Sequence, residues 1–344
     1  MKVDAPLQGP LAGAGESALR LADAGVNGTF TFEGPHDVFA PLVLAAASGA
    51  RLDVYPNVAI ALPRSPLHLA HTAYDLQVLS GGRFLLGLGS QIRAHIEHRY
   101  GATWSEPVER MREVTLAVKA ILQSWQDGSA LDFRGRFTTH TLMPPLFNPG
   151  PNPFGVPPVM VGAVGPRMTE MVAEVADGLI VHPLNSERTL REHTLVHVGR
   201  GLDRSGRDLS SFRLVAGAIV GVWEEEAERP AVEQALRGML AFYSSTPAYR
   251  VMLDLEGYGD LHPALRDLTR QGRWGEMASL VDDGMLDRFT VRGSPVEVGA
   301  GLVARYGGLV DRVALSPQGG LSVAALSGIV TAVGETTGES AGAR

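Results

Sequence analysis

Residues 158–182 read PVMVGAVGPRMTEMVAEVADGLIVH. The stretch opens with a short apolar run, Pro158 to Ala163, and turns through Gly162 and Gly165 into Pro166, a residue suited to the first position of a helix. Met168, Met171, Val172 and Val175 then recur at helical spacings, until Asp177-Gly178 opens a second apolar run that ends at His182. Both runs are apolar throughout rather than alternating. That is the pattern of parallel strands covered on both faces, joined by a crossover helix.

The same unit repeats outward from this segment. Candidate strands fall at Val3 to Leu7, Thr29 to Glu33, Val54 to Leu62, Arg83 to Gly89, Pro158 to Ala163, Gly178 to His182, Phe212 to Val222 and Arg312 to Ser316. Helical stripes lie between them, with Leu69, Ala73 and Leu76 after Pro66, and Val108, Met111, Thr115, Val118 and Leu122 after Pro107. Ser80-Gly81-Gly82 supplies a helix stop. Eight strands alternating with helices predict an α/β chain closed as a (β/α)8 TIM barrel, one domain over residues 1–333.

Three stretches stand outside the repeat. Gly128 to Gly155 is rich in Pro, Gly and aromatics and reads as an ordered excursion over the barrel rim. Trp223 to Arg292 holds helical material between the last two strands, an insertion that caps the mouth or builds a subunit contact. Gly334 to Arg344 has no large apolar residue and reads as a frayed tail.

Composition narrows the function. The net charge is −7 and there is no basic block, which argues against a nucleic-acid partner, because phosphate neutralisation needs clustered Lys and Arg. The chain has no cysteine, so disulfides, thiolate metal sites and a cysteine nucleophile are excluded. No apolar run reaches the roughly 20 residues of a membrane span, and no signal peptide is legible, so the reading is cytoplasmic. His193 and His197 are four apart but lack the acidic partner of a zinc helix, and no GxSxG elbow occurs, so neither a metal nor a serine hydrolase is expected.

In a barrel the chemistry sits where strands end. Phe32-Glu33-Gly34-Pro35-His36-Asp37 places two carboxylates and an imidazole at one exit. There Glu33 or His36 is a candidate for proton transfer, while Asp37 alone would read as a helix cap. Val54 to Leu62, on propensity, is a buried strand running into the Pro63-Arg64-Ser65-Pro66 loop. Gly87 and Gly89 allow a ring or phosphate to approach the backbone, or relieve crowding inside the barrel; Ile92 rules out the dinucleotide fingerprint. Gly162-Ala163-Val164-Gly165, leading into a helix with Arg167 in its first turn, combines free amides, a helix dipole and a guanidinium as a phosphate site.

Leu79-Ser80-Gly81-Gly82-Arg83-Phe84-Leu85-Leu86-Gly87-Leu88-Gly89, with Pro63-Arg64-Ser65-Pro66, the glycine loop before Arg167, and Ala176-Asp177-Gly178, resembles the luciferase-like monooxygenase superfamily, in its branch of coenzyme F420-dependent oxidoreductases. The resemblance runs in order over residues 20 to 320. It implies a luciferase-like barrel that passes a hydride between F420 and a small organic substrate. An FMN-dependent monooxygenase using oxygen, or a barrel that binds without catalysis, are the alternatives. It further implies a non-prolyl cis peptide at Asn57-Val58 behind the cofactor ring, contacts from Ser90, Gln91 and His95, and the cofactor phosphate on Gly162, Ala163, Val164, Gly165 and Arg167. Related barrels pair through helices flanking the early strands, which implies a homodimer. The sequence departs from the family where Gly34 and Pro35 separate Glu33 from His36, and where Gln91-Ile92-Arg93 replaces a Glu seen in some members.

Overall fold

The computed structural model of the chain describes residues 1–338. Its strands are β1 (Lys2–Pro6), β2 (Gly28–Thr31), β3 (Asp53–Pro56), β4 (Ala59–Ile60), β5 (Leu86–Gly89), β6 (Phe133–Arg134), β7 (Thr139–His140), β8 (Val159–Ala163), β9 (Gly178–Val181), β10 (Arg213–Val222), β11 (Thr290–Gly293) and β12 (Arg312–Pro317). All pairings are parallel except the small β6-β7 hairpin, and the main sheet runs β3-β2-β1-β12-β10-β9-β8-β5-β4. Both ends of that path belong to one stave: β3 pairs with β2, β4 pairs with β5, and a Val54–Phe84 bridge closes the seam. The result is the eight-stave barrel read from the sequence, with helices outside.

The expected continuous third strand is broken between β3 and β4, at Asn57-Val58, where the peptide bond is cis. Asn57 N–H still reaches the Thr31 carbonyl at 2.6 Å, and Ala61 N–H reaches Gly89 O at 2.9 Å, so the stave hands its pairing from one neighbour to the other across the break. The unexpected β11 pairs with the upper half of β10, Ile219 to Val222, beyond the point where β9 has ended.

Two apolar layers form the core. Leu21, Leu42, Leu69, Leu76, Val118, Trp125 and Leu302 are among the buried side chains between sheet and helices. Phe30, Tyr55, Leu85, Met160, Ile180, Val215 and Ala314 fill the lumen, with Val58 packed against them. The floor of the lumen is ionic. Arg312, at the start of β12, donates to both carboxylate oxygens of Asp4 at 2.7 Å, and the Tyr55 hydroxyl donates to the same carboxylate at 2.7 Å. Burying such a cluster costs desolvation, which paired hydrogen bonds offset.

The insertion brings its own core. Leu236, Leu240, Leu253, Leu265, Met285 and Phe289 pack with Leu184 and Ile219 from the tops of the β9 and β10 staves, so this segment caps one side of the mouth. The excursion after Gly128 lies elsewhere than expected. It runs along the outside of helix Pro107–Asp127, where Glu113 accepts from the amides of Arg136 at 2.7 Å and Phe137 at 2.6 Å, and Gln77 at the foot of helix Pro66–Leu79 reaches the Gly155 carbonyl at 3.4 Å. It braces the barrel wall along that helix and reaches the rim only at its tip, where Arg136 pairs with Glu106, the helix N-cap. Gly334 to Thr337 continue the last helix, Val323–Thr337, rather than fraying; residues 339–344 of the expected tail lie outside the described residues.

Candidate active site

The mouth is shaped first by its glycines. A Cβ on Gly87 would lie 2.0 Å from the Pro56 carbonyl oxygen, and one on Gly89 would lie 2.3 Å from Val58 Cγ2. Gly162 lies across from the same side chain, with 3.4 Å to Val58 Cγ1. The glycines of β5 and β8 therefore make room for the broken third stave, and Val58 leans into the lumen between them. Crowding accounts for Gly87 and Gly89.

At the exit of β5, Gln91 has a left-handed backbone, φ 59°, which a non-glycine residue adopts at a cost. Its side-chain oxygen accepts from the Ile92 amide at 2.9 Å and Ser90 donates to its carbonyl at 3.1 Å, fixing the turn. Ser90 and Gln91 are half-buried beside Gly89, whereas His95 is exposed on the short helix Arg93–His98.

Glu33 is built in. Its carboxylate accepts from the Ile60 amide at 2.7 Å, from Arg64 at 2.7 and 2.9 Å, and from the Tyr100 hydroxyl at 2.9 Å, with its side chain only 7% exposed. It ties three loops of the mouth together, with its lone pairs largely occupied. The Tyr100 hydroxyl is pushed above its ordinary value by burial and by that carboxylate. His36 is exposed and apart from this clamp, and Asp37 accepts from Phe39 and Ala40 amides at 2.9 and 2.7 Å, the helix-capping role.

The loop Gly162–Gly165 leads into helix Pro166–Val175, whose N-cap Gly165 receives no side-chain cap. Among the described residues, the amides of Val164, Gly165, Arg167 and Met168 have no backbone or side-chain acceptor. A Cβ on Gly165 would meet open space. The cradle suits an anion on these amides. Arg167 does not complete it: its guanidinium, 78% exposed, turns to Glu109 at 3.1 Å on the neighbouring helix.

One group at the mouth escaped the sequence reading. His182, directly after β9, packs its ring 4.0 Å from Tyr249 and edge-on at 4.7 Å to Tyr243, both from the insertion. Its Nδ1 accepts from the Leu184 amide at 3.1 Å, which leaves the proton on Nε2. Burial drives its pKa down to about 3, so the imidazole is neutral at working pH. Burial likewise raises Tyr249 to about 12, and raises Tyr243, which faces Ser316 at the end of β12. Only a strand-end position marked His182 in the sequence; its tyrosine partners lie 61 and 67 residues on, in an insertion outside the strand–helix repeat. No cluster of three His, Asp or Glu fit for a metal occurs among the described residues.

A closed barrel with a glycine-lined break on its third stave and an uncapped, glycine-led helix N-terminus after its fifth fits a luciferase-like oxidoreductase barrel. The chain belongs to that family: the luciferase-like monooxygenase model matches residues 3–312. An uncharacterized protein of Mycobacterium tuberculosis is 45% identical over 313 residues, covering 91% of this chain and 92% of the relative. The 5,10-methylenetetrahydromethanopterin reductase of Archaeoglobus fulgidus is 28% identical over 269 residues, 76% of each chain. Among solved structures, the coenzyme F420-dependent tetrahydromethanopterin reductase from Methanopyrus kandleri superimposes with a TM-score of 0.75 at 20% identity, covering 95% of this chain and 96% of that one, a likeness of fold. Among the described residues, no helix is long and apolar enough to cross a membrane.

Proposed function

We propose that the chain is an F420-dependent oxidoreductase acting on a small, uncharged organic substrate. The observation that carries this reading is the pairing of Val58, held between Gly89 and Gly162, with the open amide cradle at Val164 to Met168: a floor for a flat ring and, beside it, a socket for the phosphate of its tail. A relative named as a putative coenzyme F420-dependent oxidoreductase, 27% identical over 300 residues, supports the deazaflavin over FMN. When bound, that cofactor supplies a hydride or accepts one.

The chain's own residues then divide the work. Asn57, Val58, Ser90 and Gln91 shape the ring's seat, with His95 at its outer edge, and Gly162, Ala163, Val164 and Gly165 hold the phosphate. Arg167 can join them only by leaving its ion pair with Glu109. Glu33 orients Arg64 and Tyr100, and any proton delivery at this exit runs from the Tyr100–Glu33 pair or from His36. The Nε2–H of neutral His182 donates to a substrate oxygen between Tyr243 and Tyr249, a site that suits a carbonyl or hydroxyl on an apolar body. Pairing as a homodimer is supported by exposed Leu19, Val43 and Leu44 on the two helices after β1 and β2, and light scattering tests it.

Titrating the purified protein with F420 and with FMN tests the cofactor. Saturable quenching of F420 fluorescence at micromolar concentration, without comparable FMN binding, is expected. FMN binding coupled to oxygen consumption would instead make the chain a monooxygenase, and binding of neither would overturn both readings.

A further inference from the structure

His193 lies on the far side of the phosphate loop and touches nothing that would bind substrate. It sits in Leu190–Thr194, a π-helical turn at the head of the helix Leu195–Ser205, and is 7% exposed. Such wide turns shift one side chain out of the helical register, and they recur where a helix serves a site. Here the shifted side chain is His193, whose Nε2 donates to the Val164 carbonyl at 3.0 Å. Its ring is held edge-on by His197 at 4.9 Å, and His197 is itself fixed by Glu170 at 2.8 Å.

In a trans peptide the carbonyl of one residue and the amide of the next point in opposite directions. Asn57-Val58 is the cis bond among the described residues, so Val164-Gly165 is trans. A bond that draws the Val164 carbonyl towards His193 therefore turns the Gly165 N–H away from it, and that N–H has no acceptor among the described residues. We infer that His193 is a positioning residue that, by holding the carbonyl edge of the Val164-Gly165 peptide, aims the Gly165 amide on its opposite edge at the cofactor phosphate. The inference rests on the proposed phosphate cradle. Without the bond the peptide is free to rotate, and the amide no longer points at one place.

The test compares ligands with and without the phosphate: FMN with riboflavin, which differ only in that group, and F420 with its deazaflavin chromophore, which lacks the phosphate and the tail beyond it. Dissociation constants are measured for the wild type, for His193→Phe, which keeps the ring shape without the donor, and for His193→Gln, which keeps a donor. The wild type should prefer the phosphorylated form. His193→Phe should lose about tenfold of that preference while binding the phosphate-free form unchanged, and His193→Gln should recover most of it. If His193→Phe keeps the wild-type preference, or weakens both forms equally, His193 is packing and the inference falls. If the wild type itself shows no preference for phosphate, the cradle reading falls and takes the inference with it. Should His193→Phe not fold, His193→Asn, too short to reach Val164, is read in the same way.

Discussion

Acidification should weaken this fold through His182, by an amount that follows from its surroundings. Burial lowers the folded pKa to about 3, and protonating Nδ1 would also break its bond to the Leu184 amide. In the unfolded chain the imidazole titrates near its ordinary value of about 6.5. Because the folded value is the lower one, the unfolded state binds more protons between the two, and stability falls as pH drops through that window. Taking a solution from about pH 7 to about pH 5 should remove roughly 2 kcal/mol by linkage, a figure insensitive to the folded value as long as it stays well below 5. The assay is urea unfolding of wild type and His182→Phe at the two pH values. Phenylalanine retains the stack on Tyr249 but cannot titrate; it should cost about 1 kcal/mol at neutral pH for the lost hydrogen bond. The difference between the two proteins should therefore shrink or reverse at the lower pH. Identical pH slopes in the two proteins would refute the claim that His182 is held neutral at the mouth.

Three further outcomes follow from the contacts. Gly89→Ala drives a methyl against Val58 and should destabilise the protein by about 1–3 kcal/mol in thermal unfolding, with much of the loss recovered in the Gly89→Ala/Val58→Ala double variant. Arg64→Met leaves the enclosed Glu33 carboxylate without its counter-charge and should cost about 3 kcal/mol, whereas adding Glu33→Gln to it should restore part of the stability; equal or additive losses would show that the two side chains do not act as a pair. Burial would raise the Asp53 carboxyl, but Arg312 and Lys2 hold it below its ordinary value, so its contribution is present above about pH 4 and lost as the pH falls further. Asp53→Asn should flatten the acid limb of the unfolding curve.

The barrel was legible because each strand is an apolar run closed by Gly, Pro or a polar residue, and each helix carries its own stripe. The break at Asn57-Val58 was passed over on propensity, although Pro56 and Asn57 interrupt the otherwise apolar run Val54 to Leu62; the resemblance placed it, and the glycines opposite show what it requires. The cradle at Gly165 was legible as glycine followed by a proline-capped helix, but Arg167 was not. A surface guanidinium chooses among nearby carboxylates, and Glu109 lies 58 positions away in sequence, on a different helix. Glu33 was legible as a mouth residue, while its partners were hidden by the same distance, Tyr100 being 67 positions off. His182 was passed over because what makes it unusual is a lid of tyrosines.

The ionic floor of the lumen has a consequence for the order in which the molecule is made. Asp4 is synthesised before the guanidinium that neutralises it, which lies 308 positions later. Until Arg312 emerges, β1 can pair with β2 but its carboxylate must remain hydrated, which holds the half-built sheet open and keeps its lumen wet. Closure is then coupled to completion: the residue that seats the last stave also discharges the acid at the centre of the first. A nascent chain cut short before β12 would carry that uncompensated charge, a mark of incompleteness written into the barrel's first strand.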